Sequence, residues 1–392
     1  MVNEYRENFN SQFSEKKYSA LLSDIQNTIN RKLDFRICET PLFLDKNLTG
    51  IFVQAAYEIA DEINKIDFGK THRKLIPQKY FVPGEDEHPL FLQIDFAVTK
   101  DENGKVLPQL IELQGFPSLY NFQAFLDKKL RKHYEIPEHL TPYFHGLNYE
   151  SYIERLKSAM LGTTDPENVI LLEIDPFNQK TWIDFHIAEE QLGIKAVCVS
   201  DIIQKGNELY YRKNGREIRI EKIYNRVIFD ELERSNIKPS FDFYKELNVK
   251  WLSHPNWFFK ISKNILPFIK SRYAPESFYL DELSEYPDDL ENYVLKPLFS
   301  FAGSGVKIDI SNDDLNSIKN KENFILQKKV KYEPVIKTPD EYAKAEIRMM
   351  FLWEKEKPEL VNNLLRVSKG KMIGVDYNKN KTWVGANIVY HE

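Results

Sequence analysis

Cysteine is nearly missing from this sequence: Cys38 and Cys198 are the only two in 392 residues. Two isolated thiols cannot build a disulfide framework or a thiolate metal site, so ordinary packing is their expected role. Long apolar runs are missing as well. No stretch reaches the roughly 18 apolar residues of a membrane span, and the opening MVNEYRENFNSQFSEKKYS lacks the apolar core of a signal peptide. Nor does one sign of charge dominate. The 54 Lys and Arg against 59 Asp and Glu leave a net −5, which argues against a general nucleic-acid or acidic-membrane binder. A cytoplasmic protein without nucleic-acid or membrane partners is the expectation. What is present is apolar mass: 42% hydrophobic and 13% aromatic residues, enough for substantial cores in two or three domains.

Periodicity gives an α/β reading. Residues 1 to about 90 read as mostly helical, with IFVQAAYEIADEINKI (51–66) the clearest amphipathic run, and helical stretches continue to about 160 after a hairpin. VILLEI, WIDFHIAEEQLG and KAVCVSD then form strand, helix and strand, a βαβ unit with a parallel pair buried on both faces. A hairpin around Asn214-Gly215 follows, then a Pro-punctuated helical region and alternating strands. Domain boundaries are placed at 1–160, 161–235 and 236–392.

The hairpin LQIDFAVTKDENGKVLPQLIELQG (92–115) sets a specific question. Leu92, Ile94, Phe96 and Val98 alternate with Gln93, Asp95, Ala97 and Thr99, the period of a half-buried strand. Asn103-Gly104 favours a two-residue type I′ turn, in which case Asp95 faces Glu112 and Gln93 faces Gln114. A longer 101–104 loop or a bulge at Pro108 would alter that register. Opposed carboxylates repel. Either they lie on a solvated face, or a hard cation sits between them; Mg²⁺ takes one or two carboxylates together with phosphate oxygens and water.

A phosphate site is therefore sought elsewhere. In YVLKPLFSFAGSGVKIDI (293–310), Lys296 ends a strand, and a small-residue loop with Gly303 and Gly305 precedes a second strand; backbone amides and a lysine can cradle an anion there. A plain hairpin loop is the alternative. Lys260 and Lys263 lie upstream, NFILQKKV (323–330) is an apolar strand turning polar, suited to an adenine edge, and Glu333 is placed for a ribose. Arg348 and Arg366 sit on apolar strand-like runs, where an arginine must be paired or face a cleft.

This order of elements resembles the ATP-grasp superfamily. Because the carboxylate hairpin precedes the lysines, it is similar to the circularly permuted branch containing eukaryotic-type glutathione synthetase and glutathionylspermidine synthase, over roughly residues 90–392. The segments DPFNQKTWIDFHIAEEQLGIKAVCVSDI and KIYNRVIFDEL look like the substrate domain of those enzymes. The resemblance implies an α/β fold of permuted ATP-grasp type: the hairpin within 1–160, a βαβ substrate domain at 161–235, and the lid and remaining core at 236–392. It implies ATP and Mg²⁺ as cofactors, with Asp95, Glu112 and Gln114 as metal ligands. Lys263 and Lys296 would hold phosphates, Ser300, Gly303, Ser304 and Gly305 would fold over them, and Gln327, Lys328 and Val330 would form the adenine hinge beside Glu333. Arg226, with Asp184 and Trp182, would bind substrate, and Arg366 with Arg348 would meet the reacting carboxylate or acyl phosphate. Gln114 stands where the family carries Asn, and Ser300 and its neighbours stand where it carries a Glu-Gly-Gly type loop. The implied activity is ATP-dependent joining of a small carboxylate and an amine. A non-catalytic ATP-binding protein and a phosphotransferase are the alternatives, and the oligomeric state, a homodimer being one option, is left open.

Overall fold

The computed structural model describes residues 3–71, 75–299, 305–371, 373 and 378–392. Its centre is an antiparallel sheet whose strands run Gly385–Asn387, Glu359–Ser368, Tyr342–Leu352, Phe91–Lys100 and Val106–Gln114 in spatial order, with Pro334–Lys337 paired to the start of Tyr342–Leu352. Leu92, Ile94, Phe96, Ile347, Met349 and Leu365 pack on one face against the helix Lys46–Asn64. That helix presents Leu48, Phe52, Ala55, Ile59 and Ile63 at helical spacing, and Asp45 caps it by accepting from the Leu48 amide. The cap explains why the helix begins earlier than the expected 51–66. Each fully buried large side chain contributes about 1.5–3 kcal/mol, so this layer fixes which face of the sheet is left for polar groups.

The hairpin keeps the expected pairing at its open end but not at its turn. Asp95 lies opposite Glu112 and Gln93 opposite Gln114. The turn is not type I′, because Asn103 keeps negative φ and only Gly104 is positive, at 76°. The cause is Asp101, whose carboxylate accepts from the amides of Asn103 and Lys105 at 3.0 and 2.8 Å and holds a longer loop. The register shift this brings is cancelled at Ile111, not Pro108: Phe96 faces Leu110, and Ile111 bulges. By contrast, Asn214 and Gly215 both have positive φ, 52° and 77°, and close a two-residue turn between Lys213 and Arg216.

A parallel sheet follows, in the order Lys250–Trp251, Lys222–Asn225, Val169–Glu173, Lys195–Cys198. The helix Trp182–Leu192 connects Val169–Glu173 to the edge strand Lys195–Cys198 and ends on Gly193 in the left-handed region. Because Lys250–Trp251 supplies the other edge strand, this unit extends past the boundary placed at 235. A smaller antiparallel sheet, Ser277–Tyr279, Phe324–Lys328 and Tyr293–Pro297, has a core of its own around Leu280, Leu295, Leu315 and Leu326. The second strand expected after Lys296 is reduced to a bridge between Leu295 and Lys307.

The N-terminal helices Asn3–Ser11 and Glu15–Ile29 pack on the helix Tyr120–His133, and Leu42–Leu44 pairs in parallel with Val389–His391, so the two ends of the chain share one layer. Beyond the helix Lys46–Asn64, the expected helical content stops: the described part of 75–90 carries only the short turn Gln78–Tyr80. Among the described residues no helix is long and apolar enough to cross a membrane.

Candidate functional site

The face of the central sheet turned away from the Lys46–Asn64 helix carries a polar cluster beside the apolar Met350 and Leu364. Alternation places Gln93 and Asp95 on it from one strand, Glu112 and Gln114 from the next, Glu346 and Arg348 from a third, and Arg366 from a fourth. Arg348 lies directly beside Asp95, and Glu346 beside Arg366. The Arg348 guanidinium donates to both oxygens of Asp95 at 2.6 and 2.7 Å and to Gln93 at 3.1 Å. Arg366 bridges Asp95 and Glu346, and the Tyr332 hydroxyl donates to the second Glu346 oxygen at 2.7 Å. Asp95, Gln93, Glu346 and Arg348 are buried, whereas the Arg366 side chain keeps 32% exposure toward solvent.

The expected cation has competitors here: two arginines already neutralise Asp95. Burial alone would push its carboxyl up, yet Arg348 and Arg366 outweigh that and hold it below the usual range. The two-carboxylate clamp thus narrows to Glu112. Arg348 is spent on the ion pair, which is the structural alternative for an arginine in an apolar strand. Glu346 was missed by the sequence reading. Burial raises its pKa, and Arg366 opposes the rise; the alternation of Glu346 with Arg348 in AEIRMM was the available signal.

Glu112 has a different setting. Its side chain is 28% exposed, Lys263 Nζ lies 3.9 Å from Oε1, and Gln114 Nε2 donates to Oε2 at 3.4 Å. Lys296 approaches from the smaller sheet and donates to the Ile111 carbonyl at 3.4 Å, the oxygen that the bulge turns out of register. Burial lowers the pKa of Lys296 to about 8, with Glu112 opposing and Lys263 adding to the fall. Lys263 is lowered by burial as well, against Glu112. A cavity lined by Glu112, Gln114, Phe116, Phe259, Lys263 and Phe299 opens here. Two cations and one carboxylate beside a cavity suit a phosphate-bearing ligand. Among the described residues no group of three or more His, Cys, Asp or Glu could hold a metal ion. A Mg²⁺ ion beside Glu112 would take that carboxylate and lean on phosphate oxygens for the rest of its shell.

The other expected residues divide. Ser300, Gly303 and Ser304 lie outside the described residues. Gly305 has φ 73° and sits so close to Pro297 that a Cβ would lie 2.9 Å from its ring, so this end of the loop requires glycine. Gln327 points inward and donates to Ser277 at 3.0 Å, while the amides of Lys328 and Lys329 are spent on Glu276 and Asn292. Those two amides of the expected hinge are therefore not available to a base. Glu333 pairs with Lys100 at 2.8 Å. Asp184 is a helix cap: its carboxylate accepts from the amides of Leu119, Asn121 and Phe122 at 3.1, 3.0 and 2.9 Å. Trp182 packs against the N-terminal layer, under Arg31 and stacked on His186. These two are structural where substrate contacts were expected.

Arg226 is not. It follows the strand Lys222–Asn225, is buried, and lies over the rings of Phe116 and Phe185 at 4.6 and 5.7 Å. Its Nε and Nη1 have no hydrogen-bond partner among the described residues. Across from it Glu173, also missed in the sequence, ends the strand Val169–Glu173, and burial lifts its carboxyl to about 8 while Arg226 opposes the rise. The chain leaves that strand toward Lys195–Cys198 on one side and returns to Lys222–Asn225 on the other. Glu173 and Arg226 therefore flank a topological switch point at the carboxyl ends of parallel strands, where such sheets bind ligands. Phe116 joins this point to the Glu112 cavity, since it lines that cavity and lies beneath Arg226.

No family model matches the chain, and no curated protein matches it. Among solved structures it is similar to a glutathione synthetase-like effector from Globodera pallida, solved in its apo form, at TM-score 0.57 and 11% identity over 96% of both chains. At that identity the likeness is one of fold: the chain has a glutathione synthetase-like, mixed α/β architecture over nearly its whole length.

Proposed function

We propose that this chain is an ATP- and Mg²⁺-dependent carboxylate–amine ligase of the permuted ATP-grasp type, acting on small amino-acid-like or peptide-like substrates. The observation that carries the reading is the convergence of Lys263 and Lys296 on Glu112, from segments far apart in sequence, at a cavity whose wall residue Phe116 lies beneath Arg226. The glutathione synthetase-like fold supports it.

In the reaction, a substrate carboxylate oxygen attacks the γ-phosphorus of ATP, the bond to the β-phosphate oxygen breaks, and ADP leaves an acyl phosphate. An amine then adds to the acyl carbon and expels inorganic phosphate. Two anions must meet in the first step, so cationic side chains fixed in advance do most of the electrostatic work. Lys263 and Lys296 serve the phosphates. Arg366, whose Nε has no hydrogen-bond partner among the described residues and whose side chain is partly exposed, faces the transferring group. Arg348, Asp95 and Glu346 hold Arg366 in place. Arg226 takes a substrate carboxylate. Mg²⁺ held by Glu112, with Gln114 beside it, would add charge neutralisation at the phosphates.

A second reading, ATP binding without turnover, is favoured by one observation: Asp95 is already neutralised, which leaves a single carboxylate for the metal. ADP release in Mg·ATP with pooled amino acids, short peptides and polyamines separates the two, with Glu112→Gln as control. Stimulation by one pool that is absent in the variant supports the ligase. ATP binding with silence in every pool supports the binder.

A further inference from the structure

A cleft of about 730 Å³ lies between the segment Ile76–Tyr80, the helix Pro255–Lys260, and the paired strand ends at Pro297 and Phe324. We infer that it takes the apolar side chain of one of the two substrates, so that this substrate is an apolar amino acid or short peptide and not a polyamine. The inference rests on the ligase reading above and narrows its substrate class.

Position is the first argument. Phe258, Phe259, Leu298 and Phe299 line both this cleft and the cavity of Glu112 and Lys263, so the two are neighbours across one aromatic wall. In the smaller sheet Pro297 pairs with Phe324 at one end and Tyr293 with Lys328 at the other. The expected adenine hinge is at the Lys328 end, roughly 14 Å away for a strand of this length. The cleft therefore lies beyond the phosphates, on the side where the attacking substrate must arrive, and not where a base would sit.

Chemistry is the second. The walls are aromatic and aliphatic: Tyr80 and Phe259 stack with centroids 5.4 Å apart, and Ile76, Pro77, Phe258, Pro297 and Phe299 complete them. Two charged groups at the rim are held in ion pairs. Lys79 bonds Glu233 at 2.7 Å, and Asp230 accepts from Arg234 at 2.8 Å. A polyamine needs a row of available carboxylates, and beyond the paired Asp230 this lining carries a single one, Glu322, whereas an apolar side chain gains about 25 cal/mol for each Å² it removes from water. The volume falls within the roughly 300–1,000 Å³ of small-molecule sites.

The test is calorimetric binding of phenylalanyl-leucine, glycyl-glycine and spermidine to the full chain, beside Mg·ATP binding measured separately. Ile76→Trp and Asn323→Trp fill the cleft from opposite walls, so a folding defect in one leaves the other informative. Phenylalanyl-leucine is expected to bind at least tenfold more tightly than the other two probes, and to lose tenfold or more in both variants while Mg·ATP affinity stays within twofold. Equal affinity for glycyl-glycine or spermidine overturns the inference, as does phenylalanyl-leucine binding that neither Trp substitution weakens, or no binding of it at all. Selective dipeptide binding by a chain that does not bind Mg·ATP would instead overturn the ligase reading and keep the cleft as an apolar peptide site.

Discussion

Replacing Asp95 by Asn separates two accounts of the same residue by the sign of its effect. From the hairpin alone, Asp95 and Glu112 repel, and removing one charge should stabilise the protein or leave it unchanged. In the folded protein Asp95 instead receives two bonds from Arg348, at 2.6 and 2.7 Å, and a third contact from Arg366. Asn keeps the shape and one acceptor but leaves the buried Arg348 without its counter-charge. Breaking a buried pair by changing one partner costs about 3–5 kcal/mol, and the isosteric amide places this change near the lower end, at about 3 kcal/mol. Urea unfolding at pH 7 measures it, with Arg348→Met and the double variant completing a cycle. The double variant should be less destabilised than the two singles added together by more than about 1 kcal/mol. The pH dependence carries its own sign. The folded pKa of Asp95 is depressed, so its contribution is present above the unfolded value of about 3.9 and is lost as pH falls through the folded one. The penalty of Asp95→Asn should therefore shrink in acid. An Asp95→Asn protein as stable as the wild type at pH 7 would refute the ion-pair account.

Lys296→Met should weaken Mg·ATP binding roughly tenfold or more, since a hydrogen bond to a charged group is worth about 1.5–3 kcal/mol; wild-type affinity should also fall as pH rises through about 8, where Lys296 loses its proton. An unchanged affinity in fluorescence titration would remove Lys296 from the phosphate site. Glu173 has the opposite linkage to Asp95. Its folded pKa of about 8 lies above the unfolded value, so its contribution is fully present in acid and is lost as pH rises through about 8. Glu173→Gln should gain in melting temperature on the wild type between pH 6 and 9, and parallel profiles would contradict the buried neutral acid. Gly385 has φ 124°, and a Cβ there would lie 2.3 Å from the Arg36 carbonyl oxygen. Gly385→Ala should cost about 2–4 kcal/mol and loosen the N-terminal layer, seen as faster amide exchange around residues 36–38; unaltered exchange would show that the contact yields freely.

Local rules determined more of the fold than of the site. The periods of Phe91–Lys100, Val169–Glu173 and Trp182–Leu192, the glycine stop at Gly193 and the Asn214-Gly215 turn all follow from neighbours a few residues apart, which sequence spacing records directly. The pairing of Asp95 with Glu112 was legible for the same reason, although Asp101 and the Ile111 bulge reached it by a different turn. What the sequence could not express is which distant group meets a given charge. Arg348 lies 253 positions from Asp95, and only sheet order sets them side by side. That same order turns a carboxylate read as a metal ligand into half of an ion pair, sends Asp184 to a helix cap, and leaves Arg226 beside Glu173 at a switch point. A side chain's type fixes what it can bind. Whether it is already bound is decided by long-range packing, because in a buried setting an unpaired charge is too costly to leave unmatched.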